Sequence, residues 1–416
     1  MDDANALVTC DSQPGLIARL QERGHFGIKC GLENIEALLG GLGRPDRAFP
    51  VVLIAGTNGK GSTGAFLAHM LKAAGFLVGW TTSPHLADVT ERIWVDGAPI
   101  GMDALDRLLG EAFEAETRAG IQATYFELMI TAALSAFHEA GVNLAIVEVG
   151  MGGRWDSTNA TDPILTVLTT VGLDHQQYLG DTREAIAREK LCTARDGRPL
   201  VLGPTLDPDW VRPLLSCRPI LHPAPRLGSV DLQWDHSMVE GRRVGLAGLH
   251  QLDNLATAFE VVRQLRAQGF SIPEACLWPS VATVQWPGRL WKVPGLDAVW
   301  MDGAHNPDGA CVLADHALAC GVRPHLYVGS MGDKDLRGVA RELKRMRPLS
   351  VTFVQGDTPR YATAQALREA WDLEAPMLTL REARAQLRAP SEAPRLVTGS
   401  LYLLGDLLRE MDIHPF

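Results

Sequence analysis

Short, mainly apolar runs recur along the first half of the chain, at 51–55, 76–80, 144–149 and 164–171, and each is flanked by glycine or polar turns. Runs of this length, rich in Val, Ile and Leu, are the pattern of strands covered on both faces of a parallel sheet. Between them the apolar positions change to helical spacing. Examples are Leu16, Ile17 and Leu20, then Ile35, Leu38 and Leu39, then Phe66, Leu67, Met70, Leu71 and Ala74. An acidic amphipathic helix is predicted over 102–118, and another opens at Thr124 with Phe126, Met129, Ile130, Ala133, Leu134 and Phe137 on its apolar face. A short alternating strand is expected over 91–97, and helices are expected around Ala185, Ile186, Glu189 and Lys190 and from Leu249 onward. The proline-rich stretch 203–250 reads as irregular connection with short strands. After Trp286-Pro-Gly-Arg289 and Pro294-Gly295 the alternation restarts, with strands at 297–301, 325–328, 350–354 and 395–398 separated by helices. Alternating β and α implies two α/β units with mostly parallel sheets. The expected division is 1–287, a hinge at 288–296, and a smaller Rossmann-like unit at 297–416.

The run at 51–55 leads into Gly56-Thr-Asn-Gly-Lys-Gly-Ser62 and then directly into a helix. Strand, glycine turn and helix make a phosphate cradle: glycines let backbone N–H groups approach oxygens, the helix start adds partial positive charge, and Lys60 adds a full one. The spacing departs from the strict G-x-x-x-x-G-K-[ST] pattern, because Gly56 and Gly59 are close together and Gly61 separates Lys60 from Ser62. The first unit is therefore expected to be a P-loop-type, mostly parallel sheet domain.

Other chemistry-bearing residues collect at predicted strand ends. Ser83 and His85 follow the run at 76–80, where open α/β sheets place ligands. Glu148 interrupts an apolar run, a costly position unless it is paired or bound to a metal. His175 leaves the end of the next strand; with Glu148 and the phosphate turn it offers ligands of the kind Mg²⁺ takes. Taken singly, His175 also reads as a structural histidine, Lys190 as a solvated lysine, and Glu127 equally well as a carboxylate favouring a helix dipole. Gly150-Met-Gly-Gly-Arg-Trp-Asp156 superficially suggests a dinucleotide fingerprint, but no helix follows to receive a pyrophosphate, which argues against a dehydrogenase.

Composition narrows the choice. The chain has 416 residues, more than one core usually serves, with 46% hydrophobic and 21% charged residues. No apolar run approaches the roughly 20 residues that span a bilayer, and the acidic start lacks a secretory pattern. The net charge of −10 argues against nucleic-acid binding. Seven cysteines with no C-x-x-C pair argue against a disulfide scaffold and suit a cytoplasmic protein.

Taken together, the motifs resemble the folylpolyglutamate synthase/dihydrofolate synthase family of the Mur-ligase superfamily. The likeness rests on Ala55-Gly-Thr-Asn-Gly-Lys-Gly-Ser62, Ser83-Pro-His-Leu86, Thr124-Tyr-Phe-Glu127, Glu148-Val-Gly-Met-Gly-Gly-Arg-Trp-Asp156, Asp174-His175, Arg188-Glu-Lys190, Pro287-Gly-Arg289 and Asp302-Gly-Ala-His-Asn-Pro307. The resemblance implies ATP-dependent ligation of L-glutamate to dihydropteroate, to the γ-carboxylate of a folate, or to both, through an acyl phosphate. It implies that Thr57, Asn58, Gly59, Lys60, Gly61 and Ser62 bind ATP phosphates and that Asn254, Arg289 and Asp302 contact the nucleotide. Ser83, Glu148, His175 and Lys190 are the implied metal ligands for two Mg²⁺ ions, Lys190 as a carbamate, with a monovalent cation left open. Lys29, Cys30, Gly31, Leu32, Thr124, Tyr125, Phe126, Glu127, Trp155, Asp156 and Ser157 match pterin-substrate positions. Lys60, Lys190 and His305 are the expected catalytic residues, and His305 and Lys334, at strand ends of the second unit, are candidates for stabilising glutamate or the intermediate. Small molecules alone, no nucleic acid and no membrane, are the expected partners of a monomer. The readings kept beside this one are a Mur-type ligase acting on another carboxylate and a non-catalytic nucleotide-binding regulator.

Overall fold

The computed structural model describes residues 15–23 and 31–416. Eight strands form the first sheet: β1 (Val51–Ala55), β2 (Val78–Thr81), β3 (Ile93–Val95), β4 (Ala98–Pro99), β5 (Leu144–Glu148), β6 (Leu165–Leu168), β7 (Pro199–Leu202) and β8 (Ile220–Pro223). Their spatial order is β4-β3-β2-β5-β1-β6-β7-β8, parallel from β2 to β8 and antiparallel at the β3 and β4 edge. All five residues of β1 are buried, as the uninterrupted apolar run requires. Its pleat explains the need for two apolar faces. Val51, Leu53 and Ala55 join the core under the helices Met102–Ala119 and Tyr125–Ala140, whereas Val52 and Ile54 join the core under Lys60–Ala73 and Leu249–Ala267.

The parallel central strands β2, β5, β1 and β6 end at one edge of the sheet, so the segments that follow them converge there. Those segments are Thr82–Leu86, the turn after Glu148, the glycine turn 56–62, and 169–175.

The second sheet contains β12 (Trp291–Lys292), β13 (Val299–Asp302), β14 (His325–Val328), β15 (Ser350–Gln355), β16 (Met377–Thr379) and β17 (Arg395–Thr398), in the order β12-β13-β17-β14-β15-β16. Only β12 runs antiparallel. Trp291 and Lys292 lie in the stretch read as a hinge, yet they pair with β13, because Trp291 buries its ring in that unit's core. The chain is thus a two-domain α/β fold with a large parallel-rich sheet and a smaller mixed one.

One local outcome departs from the sequence pattern. The strand expected over 91–97 begins only at Ile93, because the Glu91 carboxylate turns back to accept the N–H groups of Leu86, Ala87 and Asp88 and holds Val89–Arg92 in a 3-10 turn. Within 203–250 the expected short strands are β8, which joins the first sheet, and β9 (Val230–Gln233), β10 (His236–Val239) and β11 (Arg242–Val244), which pair as a separate antiparallel sheet. These strands are short and largely exposed on one side, so no apolar run marks their bounds.

Candidate active site

A cleft with a cavity volume of about 190 Å³ lies between the two sheets, and the residues of the glycine turn 56–62 line it. The turn is shaped by glycine. Gly56 has φ +153°, and a Cβ there would lie 1.9 Å from Thr169 Oγ1. Gly59 has φ +87° and would place a Cβ 2.3 Å from Asn254 Oδ1. The loop is pinned to the next strand: Thr57 N donates to Thr170 O at 2.9 Å, and Asn58 N to Thr170 Oγ1 at 3.0 Å. No side chain caps the helix that starts at Lys60. Its first N–H groups are therefore free for an anion, as phosphate-binding helix starts require. Gly56→Ala is expected to weaken ADP binding about tenfold or more, since both the backbone conformation and Thr169 must yield; calorimetric titration with ADP measures it.

Two lysines converge on one carbonyl. Lys60 Nζ donates to Gly56 O at 3.2 Å and to Thr57 O at 3.4 Å, and Lys190 Nζ donates to Gly56 O at 3.1 Å. Lys190 is buried, so it is no surface lysine. Burial, reinforced by the neighbouring charge of Lys60, pushes its pKa down to about 7. Glu148, at the end of β5, is buried beside Lys60 with 4.0 Å between charged atoms, and Thr82 Oγ1 donates to it at 2.5 Å. Burial pushes the Glu148 pKa up, against the opposing pull of Lys60.

His175 starts a short helix with φ +52°, and burial lowers its pKa to about 4, which leaves a neutral ring with a free lone pair near pH 7. Ser83, Glu148, His175 and Lys190 all line the cleft. Among the described residues no group of three or more His, Cys, Asp or Glu side chains is poised to hold a metal. The residues present nonetheless fit Mg²⁺, which keeps several waters and phosphate oxygens and takes only one or two carboxylates from a protein. Glu148 is such a carboxylate, and the Ser62 hydroxyl is buried in the cleft wall without a protein hydrogen-bond partner.

The second domain supplies the opposite wall. Arg289, Asp302 and His305 line it. Asp302 accepts the N–H groups of Leu290 at 2.8 Å and Ala304 at 2.9 Å, so its carboxylate holds the linker against the end of β13. Asn254, from the first domain, is fixed by Gln251 at 3.0 Å. Asn58 and Asn306 exchange amide hydrogen bonds at 3.3 and 3.1 Å across the two domains.

Asp174 is a site residue that sequence reasoning noted in a motif but gave no role. It accepts from Lys334 Nζ at 2.8 Å and Asn306 Nδ2 at 3.2 Å, with His305 Nε2 at 3.6 Å. Burial alone would raise its pKa, but His305, His175 and Lys334 outweigh that and hold the carboxylate well below the usual range. His250 also lines the cleft and was missed; its only signal was its place beside Gln251 at the start of the helix Leu249–Ala267.

The positions matched to a pterin substrate have mixed placements. Lys29 and Cys30 lie outside the described residues. Gly31 and Leu32 immediately precede the helix Glu33–Gly41. Thr124 and Glu127 form a capping box at the start of Tyr125–Ala140, and the buried Glu127 carboxylate also accepts from Asn34 at 3.3 Å. Tyr125 lies under Arg92, 5.2 Å from guanidinium carbon to ring centre. Phe126 packs on Gly150, where a Cβ would approach its ring to 2.6 Å. Asp156 is buried and accepts the N–H groups of Met151 at 2.8 Å and Thr158 at 3.0 Å, next to Ser157; Trp155 is half exposed. Among the described residues of this set, no side chain lines the cleft that holds Lys60, but Gly150 and Met151, which they support, do.

Residues 54–192 match the family model described as the Mur ligase middle domain. The chain is 32% identical to the dihydrofolate synthase/folylpolyglutamate synthase of Bacillus subtilis, over 93% of this chain and 96% of that one. Among solved structures it is similar to Escherichia coli FolC in complex with DHPP and ADP, with a TM-score of 0.80 and 30% identity over 96% of this chain and 98% of that chain. A bifunctional folylpolyglutamate synthase/dihydrofolate synthase with Mn, AMPPNP and L-glutamate bound is similar too, with a TM-score of 0.82 and 27% identity over 96% and 98% of the two chains.

Proposed function

The chain belongs to the dihydrofolate synthase/folylpolyglutamate synthase family, and we propose from that premise that it joins L-glutamate both to dihydropteroate and to the γ-carboxylate of folates. It is an ATP-dependent, amide-forming ligase with a requirement for a divalent cation. The observation that carries the reading is the cleft in which Lys60, Lys190, Glu148 and an uncapped helix start surround one glycine turn, faced by His305 and by Asp174, which Lys334 holds from behind.

A carboxylate oxygen is a poor leaving group, so the acid must first be activated. Its oxygen attacks the γ-phosphorus of ATP; the new O–P bond forms as the bond to the β-phosphate oxygen breaks, giving an acyl phosphate and ADP. The amine of glutamate then attacks the acyl carbon, phosphate leaves with the C–O bond pair, and the nitrogen gives up its extra proton.

The residues of the phosphate turn hold the triphosphate through backbone N–H groups, and Lys60 places its charge where negative charge grows during transfer. Ser83, Glu148 and His175, with Lys190 as a carbamate, would hold two Mg²⁺ ions, whose contribution is to polarise phosphoryl oxygens. Asn254, Arg289 and Asp302 orient the nucleotide between the domains. His305 and Lys334, fixed by Asp174, stabilise glutamate or the intermediate. The supports around Gly150 and Met151 border the face on which the pterin acid approaches. Apposition of the two walls keeps water from the acyl phosphate.

Purified protein is expected to release ADP only when a pteroate or folate acid and L-glutamate are both present, with product mass one glutamyl residue above the substrate. Dihydropteroate and tetrahydrofolate are to be offered separately. ADP release with one acid alone would reduce the proposal to a single activity, and none with either would remove it.

A further inference from the structure

The second domain's last helix, Leu401–Met411, ends in a segment that returns to the first domain. Within it, Phe416 meets the Trp94 ring edge-on at 4.7 Å and the Trp286 ring at 5.4 Å between centres. Trp286 in turn lies 4.6 Å from Trp80 and 5.8 Å from Trp94. Three buried tryptophans thus form one cluster of mutually tilted rings, and Phe416, 43% exposed, closes its outer side. The same helix is tied to the first domain: Arg409 donates to Ala87 O at 2.9 Å, and Gly405 lies so close to Leu86 O that a Cβ would approach it to 1.8 Å.

The Trp286 side of the cluster meets the glycine turn. A Cβ at Gly61 would lie 3.0 Å from Trp286 Nε1 and 3.6 Å from Glu148 Oε2. The indole edge is therefore packed against the first turn of the phosphate-binding helix and beside the buried carboxylate. Trp286 and Phe416 line a small cavity together with Ser83, Glu148 and Arg289. Trp286 also immediately precedes Pro287-Gly-Arg289, where the chain crosses between domains, and Gly288 rests on Leu401 of that last helix. An indole held only by its own domain would feel nothing of the second domain's position. This one is bracketed by it, through the linker on one side and Phe416 on the other.

We propose that Phe416 is a positioning residue, which closes the tryptophan cluster from the second domain and so holds Trp286 against Gly61 and Glu148 when the domains are apposed. Its consequence rests on the ligase reading only where turnover is measured. Displacing a phosphate-binding element by a fraction of an ångström is costly, and losing two aromatic contacts corresponds to about a tenfold effect.

The test uses the full chain with Phe416→Ala and Phe416→Tyr. Phe416→Ala is expected to shift the tryptophan emission of the nucleotide-free protein, to weaken ADP binding and to lower kcat, the last two by about tenfold, with the KM for the pterin acid unchanged. Phe416→Tyr is expected to restore all three. Emission and ADP affinity both within twofold of the unsubstituted protein in Phe416→Ala would overturn the proposal, as would a fall in melting temperature with those two quantities unmoved. Should Phe416→Ala not fold, Phe416→Leu takes its place with the same criteria. Emission and ADP binding are read without ligation, so failure of the ligase reading leaves this test standing.

Discussion

Lys60→Ala is expected to lower kcat for ADP release by about 10³-fold while leaving the fold in place, since removing one preorganised charge from a transferring phosphoryl group costs on the order of 3–4 kcal/mol of barrier. The ammonium is anchored by the carbonyls of Gly56 and Thr57 and is not needed to close the loop, which is pinned independently by Thr170. Stability does change, with a definite sign. Glu148 is buried with its pKa raised by burial, and Lys60 is the strongest influence pulling it back. A carboxyl whose folded pKa is raised loses stability as pH climbs from its unfolded value to its folded one. Removing Lys60 raises that folded pKa further, so the variant is expected to match the parent at pH 4.5, the ordinary glutamate value, and to fall behind it at a second, higher pH. Chemical denaturation at the two pH values, beside turnover, separates the two effects. Near-normal ligation in Lys60→Ala would refute its placement at the γ-phosphate; an equal stability loss at both pH values would refute the coupling to Glu148.

Much of this arrangement was legible because it is local. The apolar run of β1, the glycines and the helix that follows lie within about two dozen consecutive residues, and each signal has its own physical cause: two-sided burial, positive φ, helical spacing. Glu148 was legible for a related reason, since a carboxylate in a buried run calls for compensation. The contacts that join the domains were not. Lys334 meets Asp174 across 160 residues and Asn306 meets Asn58 across 248, and nothing in either local sequence names its partner. Glu127 was ambiguous between helix start and site, and the structure shows its carboxylate engaged in the capping box and with Asn34. The bounds and pairing of β9 to β11 escaped because half-exposed strands of three or four residues carry too few alternations to stand out from a proline-rich connection.

Replacement of Lys190 is the second large effect to expect, and it has two readouts with opposite signs. Turnover in Lys190→Ala should fall by about 100-fold, the scale on which losing a metal-site anion acts, and millimolar acetate or propionate should restore part of it by occupying the space of the missing carbamate. The chemistry is open to this side chain because its pKa is lowered to about 7 by burial and by Lys60. A substantial share of the amine is then neutral and able to form an N–C bond with CO₂, releasing a proton to solvent. Stability moves the other way. An unfolded lysine keeps its proton up to about pH 10.5, whereas the folded one gives it up near pH 7. Between those values the unfolded state binds more protons, so stability rises with pH across that interval, and the full cost of burying the ammonium is borne below it. Lys190→Met, which keeps the volume and removes the charge, is therefore expected to be more stable than the parent at pH 6 by a few kcal/mol, an advantage of roughly 1.4 kcal/mol per pK unit of depression. That advantage should shrink steadily toward pH 10. A pH-independent difference between parent and Lys190→Met would mean that the lysine is not held neutral in the fold. Full activity in Lys190→Ala without added carboxylate would mean that its buried amine plays no part in the reaction.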